Sequence, residues 1–432
     1  MDELLAARLQ MASSMVFHIV FAAIGMVMPF LMMISHYKYL KSGNELYLQL
    51  TKTWQKGVAI FFVVGAVSGT MLSFELGLLW PEFMKHAGPI IGMPFSLEGT
   101  AFFVEAIALG FYLYGWKNIK SKWFHWWTGA IVGISGLASG ILVVAANGWM
   151  NAPSGFDYKD GVFSNIDPVA ALFNDAWFSQ ALHMSLAAFI AVGFAVGGLH
   201  LWQYYRKKNS EIHFKAFTIA LSIGAIGAIL MPISGDIAAK DVAVRQPAKL
   251  AAMEALYETE KGADLLIGGI VDEETQEVSM ALHIPNGLSF LAFNDFDAEV
   301  KGLNEFPKDE HPPVALTHYS FQVMVGIGGF LALLGVIFLI SIKKQNWRKK
   351  KWFLYAFLIA TPLGFIALEA GWFVTELGRQ PWIINGIMKT KDAVTPVQGI
   401  QYSFYLYMLI YIGLSFTVYW LMNRQIKKLN SL

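Results

Sequence analysis

The chain has 432 residues, 56% of them hydrophobic and 15% charged, where soluble domains carry about 25% charged residues. Its 32 basic and 31 acidic residues leave a net charge of +1, which gives no electrostatic footing for a nucleic-acid partner. Cysteine is absent, which excludes disulfides, thiolate catalysis and Cys-bound iron–sulfur or zinc sites, while 19 Met and 14 Trp suit large apolar cofactors as well as membrane packing.

The opening MDELLAARLQ is acidic and lacks a basic n-region, so the apolar run behind it is expected to be a retained helix and not a signal peptide. A membrane span needs about 20 mainly apolar residues. Nine segments qualify, near 14–37, 54–79, 95–115, 127–147, 177–203, 215–234, 318–342, 352–376 and 398–422. They predict an all-α integral membrane protein of nine transmembrane helices, a single membrane domain over 1–432, with its termini on opposite sides. Twenty of the 32 basic residues fall on one side: Lys38, Lys41, Lys52, Lys56, Lys117, Lys120, Lys122, Arg206, Lys207, Lys208, Lys215, Lys343, Lys344, Arg348, Lys349, Lys350, Lys351, Arg424, Lys427 and Lys428. The positive-inside bias makes that side cytoplasmic, with the N-terminus outside and the C-terminus inside. The loop 235–317 is then extracytoplasmic and far longer than an ordinary connection. Within it PAKLAAMEALYETE (247–260) predicts a helix with Pro247 in its first turn, and GGIVDEETQEVSM a small hairpin.

Charged groups inside a bilayer cost roughly 2.5–3.5 kcal/mol each on insertion scales. Glu98 and Glu105 are seven residues apart in the third segment, and Glu369 and Glu376 repeat that spacing in the eighth. Seven residues is close to two helical turns, so each pair shares a face with a rise of roughly 10 Å. Glu98 and Glu376 are expected near the outer surface, Glu105 and Glu369 one step deeper. Any one of these acids is explained as well by hydrogen bonding between helices as by chemistry. Two depth-matched pairs favour a proton path or a cofactor site.

His18 and His183 lie at similar depth in segments that both enter from outside, and Met324 lies at that depth in HYSFQVMVGIGG. An imidazole and a thioether are axial ligands of low-spin haem, and GIGG would let a flat macrocycle approach the backbone. Spacing alone leaves packing and ligation both open. His36, His125, His200 and His213 are expected at inner helix ends, interfacial or solvated, and His318 at an outer helix mouth. No adjacent His pair of the haem–copper oxidase kind occurs, and the 17- and 18-residue separations of His183 from His200 and His18 from His36 put each pair on mismatched faces for a two-haem cytochrome b. A secondary transporter or channel with intramembrane carboxylates is the alternative class. Repeats are absent, though Pro29, Pro232 and Pro362 offer kinks.

ARLQMASSMVFHIVFAA, SFELGLLWPEFM, SLEGTAFFVEA, QALHMSLAA, QPAKLAAMEALYET, FQVMVG and EAGWFVTELGRQPW, in that order, resemble subunit I of the cytochrome bd quinol oxidases over essentially the whole length. The resemblance implies an electrogenic, non-pumping quinol:oxygen oxidoreductase of the bacterial cytoplasmic membrane. His183 and Met324 would ligate a low-spin haem b (b558 type). His18 and Glu376 would each ligate one of two high-spin haems, a haem b of the b595 type and haem d. Glu98 and Glu105 would feed protons, Arg379 would face haem propionates, and Lys249 and Glu254 would serve quinol in a loop of the shorter kind. Lys249 and Glu254 are five apart, so independent roles fit better than an i,i+4 pair. The resemblance also implies subunit II as heterodimer partner, a small single-helix subunit, membrane lipid, quinone and O2. Two departures stand out. Gln322 occupies a position expected to be Arg. SFELGLLWP is similar to the cyanide-insensitive subgroup, some of whose members carry a further haem b in place of haem d. On this reading Glu376 is a metal ligand, Pro381 ends its helix and Trp382 anchors it at the interface.

Overall fold

The computed structural model describes residues 2–206 and 210–429, so Lys207 and Lys208 of the basic cluster lie outside the described residues, as does the side chain of Lys349. Among the described residues nine helices are long and apolar enough to cross a membrane. They are Glu3–Ser42, Glu45–Leu79, Pro81–Asn118, Lys122–Asn151, Trp177–Arg206, Glu211–Arg245, Val314–Lys343, Lys351–Leu377 and Ile400–Leu429, the first to ninth spans below. The first eight each contain their expected segment, and the ninth starts two residues inside its own. The helices outrun those segments: the first starts at Glu3, not near 14, and the third at Pro81, not near 95. Hydropathy marks the hydrocarbon crossing, whereas a helix continues wherever its backbone stays paired. The early part of the third span is held by buried Phe83, Ala87, Ile90 and Ile91. Pro29, Pro232 and Pro362 all lie inside continuous helices.

The ends of the spans follow local chemistry. Gly43 takes φ +66° to stop the first span, and Asn44 caps the second by accepting from Leu46 N–H at 2.9 Å. Spans one to four pack as one four-helix group: first on second, third on fourth, and first on fourth. Spans five to eight form a ring in which the fifth and seventh each pack on both the sixth and the eighth, and so stand diagonally opposed. The fifth span joins the two groups by packing on the first and fourth. Glycine permits the closest crossings: a Cβ on Gly193 would lie 2.6 Å from Gly224 Cα, and one on Gly364 2.6 Å from Ala191 Cα. The ninth span packs on the first and second and is the least buried, with 11% of its apolar window enclosed.

The long loop is shorter than expected at both ends, because the sixth span continues to Arg245 and the seventh begins at Val314. The loop helix is Pro247–Glu254 and stops six residues before 260, where Ala255 turns left-handed at φ 51°. The expected hairpin is present as Ile270–Asp272 paired with Glu277–Ser279. Leu265–Ile267 pairs with Leu282–Ile284, and Glu260–Lys261 with Glu299–Val300. Leu250, Ala263, Leu288 and Val300 give this region its own small core. The eighth span ends at Leu377, four residues before Pro381, so Pro381 does not terminate it. Trp382 opens a short strand, Trp382–Ile384, with the Lys389 ammonium 5.3 Å from its ring centroid.

Candidate active site

The first span carries His18 against the second. Ser68 Oγ lies 2.9 Å from His18 Nδ1 and also 2.9 Å from the Val64 carbonyl. The hydroxyl has one hydrogen, which the carbonyl takes, so the imidazole donates from Nδ1 and Nε2 keeps its lone pair. On the fifth span His183 Nδ1 lies 3.3 Å from Ser234 Oγ on the sixth. Met324, on the seventh, lies against the eighth, where a Cβ on Gly371 would be 3.0 Å from its sulfur. His183 and Met324 thus stand on the diagonal helices of one ring. Beside Met324, the positions a Cβ would take at Gly326, Gly328 and Gly329 are open.

The four acids sort by partner. Glu98 accepts from Ser139 Oγ at 2.9 Å, and Glu105 lies against Gly136, so both face the fourth span three residues apart. Both oxygens of Glu369 are buried without a hydrogen-bond partner. Glu376 accepts from Asn147 Nδ2 at 2.6 Å and is ion-paired with Arg379 at 2.5 Å. Arg379, 3% exposed, also donates to the Ile383 carbonyl, and its Nε has no partner.

Lys249 and Glu254 part company, as their spacing requires. Lys249 reaches the eighth span: Nζ lies 3.4 Å from the Thr375 carbonyl, and Gly378 leaves room for its stem. Burial first, and the Arg379 charge second, lower its ammonium to about 7, with Glu376 opposing. Glu254, 1% exposed, points to the backbone of Leu266, with both oxygens unpartnered. Burial raises its carboxyl to about 8, against a smaller lowering by that backbone.

Several further polar residues belong here, of which Glu75, an acid inside the second expected segment, is the one a sequence reading could have found. Gln246 Nε2 donates to Asn151 Oδ1 at 3.2 Å, and Asn151 Nδ2 donates to Asn147 Oδ1 at 3.1 Å, forming a chain that ends on Glu376. Glu75, fully buried, accepts from Gln10 at 3.1 Å and Ser14 at 2.7 Å. The inner histidines are not solvated: His36, His125 and His213 are at most 4% exposed. Tyr112 OH lies 3.1 Å from His36 Nδ1, and Trp54 Nε1 donates to His200 Nε2 at 3.2 Å. Aromatic residues enclose these rings, a feature that hydropathy does not reveal. His318 does lie near the outer end of its span, which begins at Val314, but is buried under the loop.

A family model described as cytochrome bd terminal oxidase subunit I matches residues 6–430. The chain belongs to the cytochrome bd terminal oxidase subunit I family. It is similar to a Bacillus subtilis (strain 168) chain provisionally named cytochrome bd menaquinol oxidase subunit I, 36% identical over 99% of this chain and 97% of that one. A second B. subtilis (strain 168) relative, cytochrome bd ubiquinol oxidase subunit 1, is 31% identical over 99% of this chain and 94% of its own length. The structure of bd oxidase from Geobacillus thermodenitrificans superposes with a TM-score of 0.93 at 36% identity, covering 99% of each chain. Membership of the bd family brings haem cofactors, respiratory electron transport, a second-subunit partner and a multi-pass place in the bacterial cytoplasmic membrane. The transporter alternative gives way to it.

The residues present fit haem. His18 and His183 are imidazoles with Nδ1 beside a hydroxyl, and in His18 Nε2 is left as donor atom, the arrangement that orients metal-binding histidine. Met324 supplies a thioether, which lies against Gly371 of the eighth span.

Proposed function

We propose that this chain is the haem-bearing subunit of a quinol:oxygen oxidoreductase that takes electrons from quinol at the outer face and reduces oxygen to water with cytoplasmic protons. The observation that carries this reading furthest is the pair His183 and Met324, an imidazole and a thioether on diagonal helices of one four-helix ring. His183 and Met324 would hold the low-spin haem b (b558 type). His18 and Glu376 would each hold one high-spin group, a haem b of the b595 type and haem d or a further haem b. Bound haem supplies electron transfer and the reduction of oxygen.

The chain's own groups do the rest. Residues 235–317 form the quinol-binding loop, on the outside by the distribution of Lys and Arg. Glu254 takes a quinol proton and Lys249 grips the headgroup. Arg379 fixes Glu376 in place and offsets negative charge beside it. Glu98, oriented by Ser139, and Glu105 hold protons drawn from inside. Quinol protons leave outside while water protons come from inside, so a membrane potential forms without a pump. Subunit II completes the complex, with a small single-helix subunit beside it.

The test is the purified complex. It should consume oxygen when given quinol and show a low-spin haem signal in its reduced-minus-oxidised spectrum. Met324→Leu should abolish or shift that signal and leave the high-spin bands. An unchanged low-spin spectrum and potential in the variant rules out the ligand assignment, and absence of quinol-driven oxygen uptake rules out the function.

A further inference from the structure

His318, for which hydropathy predicts a place at a helix mouth, is fully buried and 65 residues from its partner in the chain. Its Nδ1 lies 2.8 Å from the carbonyl of Met253. A carbonyl only accepts, so Nδ1 carries the hydrogen and neutral His318 presents a lone pair at Nε2. That nitrogen is buried without a hydrogen-bond partner, and so are both carboxylate oxygens of Glu254, the residue after Met253. Leaving a buried polar atom unsatisfied is unfavourable, and three around one short helix end are a built feature that a ligand would satisfy.

The surroundings define a site. Glu254 faces the backbone of Leu266 and His318 that of Gly268, so the two flank one three-residue stretch of the loop. Gln322, one turn along the seventh span from His318, clasps the same stretch. Its Nε2 donates to the Leu266 carbonyl and its Oε1 accepts from Gly268 N–H, both at 2.9 Å. Gly268 sits at φ +69° with open space where a Cβ would be. A quinol headgroup carries two hydroxyls, each a donor in need of an acceptor, and this stretch of the loop is flanked by two acceptors of different chemistry.

We propose that His318 Nε2 is the second proton acceptor for quinol, binding one hydroxyl while a Glu254 oxygen binds the other. Both O–H bonds break as the headgroup is oxidised. One proton passes to Nε2 and one to the carboxylate, and the two electrons leave singly to ferric haem. Protonated Nε2 then faces the Gly268 carbonyl on the loop side, from which the proton is lost outside. This inference rests on the quinol site proposed above.

The experiment uses the purified two-subunit complex and a hydroxyquinoline N-oxide as quinol analogue, with binding followed by fluorescence quenching. His318→Asn keeps an amide to donate to Met253 but has no atom at the Nε2 position. It should weaken analogue binding tenfold or more and raise the quinol KM with little change in haem content. Analogue affinity and quinol kinetics within twofold of wild type overturn the role of His318. Glu254→Gln is run alongside. If it too leaves binding untouched, the quinol site itself is misplaced; if only it weakens binding, His318 alone is excluded. Should His318→Asn fail to assemble, the unaltered complex with 15N-labelled histidine decides. The analogue should then shift the resonance of an unprotonated imidazole nitrogen, and no shift refutes the proposal.

Discussion

Glu254 shows how one buried carboxyl sets a pH dependence. Burial lifts its pKa to about 8, so at pH 7 only about a tenth of the molecules carry the ionised form that accepts a proton. The ionised fraction grows as pH rises through 8. The quinol oxidation rate should therefore climb from about pH 7 through 8 and level off only near pH 9, and Glu254→Gln should lose that climb. Stopped-flow reduction of the low-spin haem across that range is the measurement, and an identical climb in the variant would remove Glu254 from proton transfer. Some residues of the site are legible from the amino-acid sequence alone. Glu376, His183 and Met324 announce themselves as polar or ligating groups within apolar runs. His318 does not, because the atoms that bury it come from Met253 and from the strand at 265–267, brought over by the fold of the loop. The Asn147–Asn151–Gln246 chain is hidden for the same reason: its members are ordinary amides until the sixth span hands over to the loop helix beside the fourth.

At the scale of elements, Gln322 ties a membrane helix to a surface strand. The pair of hydrogen bonds it makes needs a donor and an acceptor on one side chain, which Asn or Gln offers and Arg does not. Gln322→Ala should therefore free the Leu266–Gly268 segment, worth about 1–2 kcal/mol for two neutral hydrogen bonds. Amide exchange at Gly268 should then quicken by about tenfold, and Gln322→Arg should behave like the Ala variant. Unchanged exchange in both would show that the strand is held by its pairing with Leu282–Ile284 alone. Helix crossings make a second case. A Val side chain at Gly193 would strike the Gly224 backbone, and overpacking of that kind costs about 1–3 kcal/mol. Gly193→Val should lower the thermal midpoint of the complex and loosen the His183 site, since the fifth and sixth spans separate there. A midpoint equal to wild type would mean that the crossing yields without strain. Hydropathy locates all nine helices but misjudges their ends, because outer turns such as 81–94 are held by packing on protein and not by lipid.

At the scale of the molecule, the placement of Glu376, Lys249 and Glu254 toward the loop end makes a claim about charge. If quinol protons leave at the loop side and water protons arrive from the other, turnover moves the equivalent of one charge per electron across the membrane. Complex reconstituted into vesicles with the loop outward should build an inside-negative potential, followed with a cationic dye. A protonophore should abolish the potential and speed turnover. Proton release clearly above one per electron would instead require a pump.

The ring of spans five to eight also fixes an order of events during biosynthesis. The fifth span leaves the ribosome early, and the seventh only after the whole loop has been made. The eighth, which packs on both the fifth and the seventh, follows later still. Until that last helix arrives, the half-built ring is a trough open along one side, with His183 and Met324 on its walls and no eighth span to close it. A nascent chain cut short before Lys351 therefore has no closed cavity in which to retain a prosthetic group. Cofactor capture becomes a late checkpoint on a nearly finished polypeptide, and truncated chains should emerge colourless and be cleared by membrane proteases.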